Sequence, residues 1–343
     1  MSKTTIVGID LAKNVFHVVC CNRNGQLMIR KKLRRNQVTR YFSQLNACTV
    51  AMEACGSSHH WARQFLQMGH CVKMIPAQFV RPFLRGNKTD YHDAQAIVEA
   101  ARQPEMRFTQ VKTIEQQDMQ GLIRAREFAI KSRTALCNHL RGLVAEYGVD
   151  LPRGRVSLFK QLPRLLSDER LSEFFRQTLE AGICQLLRTQ EYIDTLTEEL
   201  HRHSRELEAS RRLCTIPGFG VIIAAVFLNT VGNGATFRRG RDVSASLGLV
   251  PKQHSTGGKT NLQGISKRGD GYLRSLLIHG ARAVVCRAGG KTDRHSQWIN
   301  RRVETRGFNR AVVAYANKMA RMGWAILRHD SVYRDSAASA SAR

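Results

Sequence analysis

Short apolar runs alternate with helical periodicity over the first hundred residues of the chain. The β-rich runs predict strands, and Asn24-Gly25 predicts a hairpin turn between the second and third of them. One predicted helix follows the fourth run, with Ser57 or Ser58 as its cap and Gly69 as its end, and another follows the fifth. The expected strands are 5–9, 15–21, 26–33, 48–52 and 71–75, and the expected helices are 57–68 and 90–102. This order predicts an α/β domain with helices packed on a mixed sheet.

Helical periodicity dominates the second hundred residues. The segment 114–147 contains no proline, and glycine and proline residues at 148–154 mark the break after it. Farther along, Ile193, Leu196, Leu200, His203 and Leu207 recur at steps of three and four residues. This spacing is typical of a coiled coil or helical hairpin, either within one chain or between subunits.

The third part of the chain is predicted to be mainly α-helical. It begins with Ile-Pro-Gly-Phe-Gly at 216–220 before an apolar helix, and it contains Gly-rich loops at 255–259 and 267–271. Two further helices are expected at 272–285 and 309–327. The expected division of the chain is 1–110, 111–212 and 213–330, followed by a disordered Ser/Ala-rich tail, 331–343.

The charge of the chain indicates a polyanionic partner. The sequence has 54 Lys+Arg against 27 Asp+Glu, a formal net charge of +27, with 43% apolar residues available for packed cores. Nucleic acid is the first candidate for such a surplus. An anionic membrane is the rival, but the longest apolar run, 221–228, is far too short to span a bilayer. We therefore expect a soluble, cytoplasmic protein.

Four carboxylates are placed so that they could hold metal ions. Asp10 ends the first strand and Glu53 ends a later one, while Asp90 and Asp93 share one face at the start of a helix. Such a cluster repels itself unless cations neutralise it. Two divalent ions about 4 Å apart are a common device for cutting or joining phosphodiesters, and Mg²⁺ suits oxygen ligands. Each residue could instead be an ordinary helix cap or surface charge.

Several motifs resemble those of a known family. Residues 8–13 (GIDLAK), 52–56 (MEACG) and 87–94 (NKTDYHDA) resemble, in order and spacing, the DEDD motifs of the insertion-sequence-110/1111 transposases. Residues 247–251 (LGLVP) and 265–270 (ISKRGD) resemble that family's C-terminal transposase domain. The stretch 253–259 (QHSTGGK) is similar to the 1111 subgroup.

The resemblance implies an RNase H-like (RuvC-like) α/β N-terminal domain, a long helical or coiled-coil insert, and a mainly α C-terminal transposase domain. It also implies Asp10, Glu53, Asp90 and Asp93 as catalytic metal ligands, a two-ion Mg²⁺ site, and a nucleophilic serine. An element-encoded non-coding RNA that pairs with donor and target DNA is the implied partner.

The nucleophile has two candidates. The family's serine sits in a short loop directly before a glycine, and here the residue before Gly257 is Thr256, with Ser255 one step earlier. We expect Ser255, because a primary hydroxyl attacks a phosphodiester with less steric hindrance. Neither hydroxyl is nucleophilic at its free pKa, so a base or metal must activate it. Both could instead bind phosphate or satisfy the loop backbone.

Other residues are candidates for binding nucleic acid. Gly218 and Gly220 lie in a segment that resembles a helix-hairpin-helix turn, in which backbone amides hold a phosphate; a tight interhelical turn is the alternative. Basic residues within or next to the motifs are expected to contact phosphates: Lys88, Lys259, Lys267, Arg268 and Arg274.

These observations predict a DNA recombinase of a bacterial mobile element, acting through a seryl–DNA ester under RNA guidance and associated with the nucleoid. We expect a homo-oligomer, a dimer or tetramer, set by the 193–207 seam. Two alternatives stay open. One is a RuvC-like Holliday-junction resolvase that uses metal-activated water, and the other is a non-catalytic nucleic-acid-binding protein.

Overall fold

The computed structural model describes residues 6–22, 24–84 and 89–334 of the chain. Lys88 and the tail residues 335–343 lie outside these ranges. The chain divides into two compact units, Met1–Gln117 and Asp118–Arg343.

A five-stranded sheet with the order β3-β2-β1-β4-β5 forms the centre of the first unit. The strand β1 pairs antiparallel with β2 and parallel with β4, while β3 extends the antiparallel side and β5 the parallel side. The strands are β1 (Ile6–Asp10), β2 (Val15–Cys21), β3 (Leu27–Arg34), β4 (Thr49–Glu53) and β5 (Cys71–Ile75). The predicted mixed α/β sheet is confirmed.

Helices cover both faces of this sheet. Phe42 and Trp61 lie in the core on one face, and Ile97 and Val98 lie in the core on the other. The helices are α1 (Arg35–Ser43), α2 (Ser58–Gln67), α3 (Ala77–Val80) and α4 (Asp90–Arg102), with a 3₁₀ turn at Arg81–Phe83. The predicted order was wrong in omitting α1, which buries only two of its nine residues and therefore has a weak apolar pattern.

Gly8 in the middle of β1 allows α4 to lie very close to the sheet. A Cβ atom at Gly8 would be 2.4 Å from the backbone oxygen of Ala94 and 2.5 Å from a methyl group of Val98. Real Cβ atoms do not come this near to backbone, so only glycine fits without movement of the helix. This contact places the first turn of α4 beside the end of β1.

The second unit is almost entirely helical. Its largest core gathers residues of α9, α11 and α13, among them Phe227, Leu277 and Tyr315. Its helices are α5 (Ile114–Ala145, which begins in the first unit), α6 (Arg155–Leu165), α7 (Glu173–Glu206), α8 (Glu208–Leu213), α9 (Val221–Val231), α10 (Gly240–Ser246), α11 (Gly271–Cys286), α12 (Arg294–Arg306) and α13 (Phe308–His329). The mostly helical remainder predicted from the sequence is confirmed.

One hairpin corrects the loop expected at 255–259. The strands β6 (Pro251–Thr256) and β7 (Lys259–Ile265) pair antiparallel, and Gly257 and Gly258 form the turn with positive φ angles. Ser255 and Thr256 therefore lie in a strand. The residues of β6 and β7 form no buried apolar face, so no alternating pattern predicts these strands.

The 193–207 seam is only partly buried in the chain. Ile193 and Leu200 are buried, whereas His203 and Leu207 are exposed. The helix α7 ends at Glu206, so Leu207 lies beyond it. The seam is thus shorter than the sequence pattern predicted.

Candidate active site

Asp10 and Glu53 lie at the same edge of the sheet of the first unit. The strands β1 and β4 are parallel neighbours, and Ile9 pairs with Met52. The two carboxylates are the next residue on each strand and end the strands together. Parallel strands place their carboxyl ends at one edge of a sheet. Asp10 and Glu53 therefore lie at the same edge, as the sequence predicts.

Asp90 and Asp93 occupy the first turn of α4, close to this edge. The N-cap residue is Thr89, whose hydroxyl accepts a hydrogen bond from the backbone N–H of His92 at 3.3 Å. A capped start fixes the direction in which the first turn presents its side chains. Together with the close approach at Gly8, it brings both aspartates to the ends of β1 and β4.

The electrostatics of Asp10 show that the other three carboxylates act on it. Its pKa is raised to about 6, first by burial and then by the negative charges of Asp93, Asp90 and Glu53. His17 acts in the opposite direction and lowers it. Burial and like charges disfavour the ionised form of the Asp10 carboxyl, and a bound cation would stabilise that form.

His17 is a member of this cluster that the sequence reasoning missed. It lies on β2 directly opposite Asp10 and is only 8% exposed. Its Nδ1 atom is 3.3 Å from a carboxylate oxygen of Asp90, and one potential ligand atom each from Asp10, His17 and Asp90 lies within 4.8 Å of the other two. The available signal was a polar residue between the buried Phe16 and Val18, paired across the hairpin with Asp10.

The candidate nucleophile is on the exposed hairpin of the second unit. Every residue of β6 is exposed, including Ser255 and Thr256. The side-chain amide of Gln253 donates a hydrogen bond of 2.7 Å to the Ser255 hydroxyl oxygen. This bond uses the oxygen as an acceptor and leaves the hydroxyl proton available for removal.

Comparison with known proteins identifies the family. A family model described as a transposase, for the DEDD transposases of IS110, matches residues 7–149. A second model, the transposase IS116/IS110/IS902 family, matches residues 210–297. The chain belongs to this family of insertion-sequence transposases. The resemblance read from the motifs is confirmed.

Full-length relatives of this transposase agree with that assignment. The "Probable family 20 transposase" of Pseudomonas aeruginosa is 44% identical over 341 residues, which cover 96% of the chain and 98% of the relative. The transposase for insertion sequence element IS1111A of Coxiella burnetii is 42% identical, with 97% of the chain and 92% of the relative covered. The transposase for IS1328 of Yersinia enterocolitica is 38% identical, with 97% and 99% covered. Transposases cleave and transfer DNA strands, so the protein is an enzyme with DNA as a partner.

Some of the basic residues predicted to contact phosphates are exposed in this transposase, whereas one of them hydrogen-bonds to the protein backbone. Lys259, Lys267 and Arg268 are exposed on β7 and the loop after it. The guanidinium of Arg274 instead donates hydrogen bonds to the backbone oxygens of Leu247 at 3.1 Å and Arg268 at 2.8 Å. Arg274 therefore holds the loop that carries Arg268. Lys88 lies outside the described residues.

The predicted helix-hairpin-helix turn of the transposase packs against α11. Gly218 has a φ of +88°, and a Cβ atom there would lie 2.8 Å from the backbone oxygen of Gly280. Gly220 is the N-cap of α9 and has open space around it. Gly218 thus has a packing role, whereas Gly220 leaves the backbone at the start of α9 accessible. Among the described residues, no helix is long and apolar enough to cross a membrane.

Proposed function

We propose that this transposase cuts and rejoins DNA strands through a transient ester between a DNA phosphate and Ser255, with metal ions held by Asp10, Glu53, Asp90 and Asp93. The observation that carries the proposal is geometric: Asp10 ends its strand beside Glu53, and ligand atoms of Asp10 and Asp90 lie within 4.8 Å of each other. Burial, and then the charges of Asp93, Asp90 and Glu53, raise the pKa of Asp10 to about 6. A cluster of this kind has a clear use only when cations bind to it.

The donor set fits a divalent metal. Carboxylate oxygens of Asp10, Glu53, Asp90 and Asp93 suit Mg²⁺, and the ring nitrogen of His17 adds a ligand that Mn²⁺ also accepts. A bound divalent ion would neutralise charge on the scissile phosphate and favour loss of a proton from a nearby hydroxyl.

The protein's own residues carry the transfer step. The Ser255 oxygen forms a bond to the DNA phosphorus as its proton leaves, and one bridging P–O bond breaks. The released DNA oxygen takes a proton and becomes a strand-end hydroxyl. The energy of the phosphodiester is kept in the ester, so attack by another DNA hydroxyl regenerates Ser255 and joins the strands. Gln253 orients the serine oxygen through the bond it donates.

We also propose the finer features implied by the family. The β3-β2-β1-β4-β5 order with carboxylates at the ends of β1 and β4 supports an RNase H-like, RuvC-like domain. The net charge of +27 supports binding of an RNA in addition to DNA. The exposed His203 and Leu207 at the end of the 193–207 seam support a contact between subunits.

Trapping a protein–DNA adduct in denaturant tests this function. With donor DNA, cognate RNA and Mg²⁺, the wild type should form an adduct that Ser255→Ala abolishes, while Thr256→Ala, the matched control one residue away, keeps most of it. Asp10→Asn should also abolish the adduct but leave DNA binding nearly intact, because phosphate contacts lie elsewhere.

The opposite pattern would reassign the chemistry. An adduct that survives Ser255→Ala and disappears in Thr256→Ala makes the threonine the nucleophile. Cleavage with free ends and no adduct in the wild type points to a resolvase with metal-activated water. Full activity in excess chelator rules out the metal role of the carboxylates.

A further inference from the structure

A groove of about 710 Å³ in the second unit carries a concentrated positive charge. It lies between the start of α10 and the helices α12 and α13. Its lining contains no acidic residue among those that the structure describes. The basic side chains that line it are Arg239, Arg241, Arg302, Lys318 and Arg321.

Most of these charges are not neutralised within the protein. In residues 6–22, 24–84 and 89–334, no ion pair involves Arg239, Arg241, Arg302 or Arg321. All four side chains are exposed at the groove. Like charges that share a concave surface repel each other and attract a multivalent anion.

Aromatic walls hold the cations in position. The Lys318 ammonium lies 4.6 Å from the ring centroid of Trp298, and the Arg302 guanidinium lies 5.6 Å from it. Trp324 donates a hydrogen bond of 3.0 Å from Nε1 to the backbone oxygen of Gly234. These contacts restrict the long side chains before an anion binds. The side chains therefore lose less conformational entropy on binding.

The same contacts select the kind of anion. Proteins that bind unpaired bases leave aromatic faces open for stacking, whereas Trp298 lies under two cations and Trp324 is packed against Gly240. The groove therefore offers charge for phosphates and little surface for bases. A duplex, which hides its bases and presents phosphates, matches this surface.

We propose that this groove binds the phosphodiester backbone of duplex DNA and holds it independently of the residues that carry out strand transfer. Trp298, Arg302, Lys318 and Arg321 lie beyond the matched segment 210–297 of the C-terminal family model. This inference rests on the proposed function in one respect, because it takes the bound anion to be the DNA substrate of the transposase.

The test measures binding without cleavage. A labelled duplex of scrambled sequence and about 20 base pairs, two helical turns, is titrated in chelator over a range of salt concentrations. Arg302→Gln/Arg321→Gln should weaken binding by about tenfold or more and reduce the salt-dependence slope by about 2. The matched control is Arg188→Gln/Arg301→Gln, which removes the same charge from exposed arginines of the same unit outside the groove.

Two further measurements keep the test decisive. Arg302→Lys/Arg321→Lys retains the charge and should bind duplex DNA with an affinity within a few-fold of wild type. This variant shows whether the loss in the glutamine variant comes from the lost charge or from misfolding. Two of the three tryptophans line the groove, so duplex DNA should change the intrinsic fluorescence of the wild type, and this change should diminish in Trp298→Phe.

Equal losses in the groove and control variants would overturn the proposal. So would a loss confined to single-stranded DNA or to duplex RNA of the same length, because the site would then belong to another partner. The two proposals can fail separately. If the groove variant binds duplex DNA more weakly than wild type in chelator, but wild type does not cleave DNA in Mg²⁺, only the proposed function is contradicted.

Discussion

Asp10 destabilises the metal-free first unit at neutral pH. Its pKa in the folded protein is about 6, above the value of 3.8 for the free side chain. Between these two values the folded state holds more protons than the unfolded state, so stability falls as pH rises through this window. Above it the penalty is complete. The full shift would correspond to about 3 kcal/mol, and partial solvent exposure reduces it to about 1–2 kcal/mol.

We expect Asp10→Asn to stabilise the metal-free protein at pH 7.5 by about 1–2 kcal/mol. In chelator, the melting temperature of wild type should fall from pH 4 to pH 7, and the variant should show a smaller fall. Mg²⁺ should then stabilise wild type more than Asp10→Asn. Glu105→Gln, at an exposed position of the same unit, is the control. A variant less stable than wild type in chelator at pH 7.5 would contradict this explanation.

The packing of α4 on β1 links an ordinary strand residue to the candidate active site. Gly8 permits the approach, Thr89 caps the helix, and the first turn then presents Asp90 beside Asp10. Under the proposed function, a displacement of α4 by even 1 Å would separate side chains that are proposed to share an ion. The geometry of the site therefore depends on a residue with no functional group.

Gly8→Ala should push α4 from the sheet, because its methyl group would meet backbone atoms of Ala94 that cannot rotate away. We expect a loss of about 2 kcal/mol or more in stability and a large loss of strand cleavage. Gly142→Ala is the control, since that exposed helical glycine has nothing within 4 Å of an added Cβ and the change should stabilise α5 by up to about 1 kcal/mol. Urea unfolding and a cleavage assay measure both effects, and wild-type cleavage by Gly8→Ala would refute the dependence.

The elements whose bounds were predicted best are apolar segments that end at clear turn or capping residues. The bounds of β2, β5 and α4 coincide with the sequence-based ranges. The elements missed include α1, α3, α10, α12 and the β6–β7 hairpin, which are short, have few buried residues or are exposed on both faces. The meeting of Asp10 and Glu53 followed from strand order, whereas the place of Asp90 and Asp93 depended on the packing of α4, and His17 required the register of β2 against β1.

At the scale of the whole molecule, the chain combines a small acidic cluster with a large surplus of positive charge. The four carboxylates lie in the first unit, while the hairpin with Ser255 lies in the second. Positive charge is spread over both units, and contacts of Lys and Arg with phosphates carry no sequence information. The expected division at 1–110, 111–212 and 213–330 stays a prediction.

RNA-free protein should bind duplex DNA with steep salt dependence and little sequence preference. Addition of the cognate RNA should create specificity through base pairing, as it does in other guided systems. Competition between matched and scrambled duplexes, with and without RNA at fixed salt, measures this difference. Strong sequence preference by the RNA-free protein would indicate an ordinary site-specific recombinase.

The order of the two units along the chain bears on damaged copies of the gene. A reading frame interrupted between Asp118 and Ser255 would encode the acidic cluster but not the proposed nucleophile, Ser255. Under the proposed chemistry, such a product could still take up metal ions, yet it would never become attached to a chromosome. Truncation would therefore silence the element without leaving a nuclease that breaks its host's DNA through a protein-linked end.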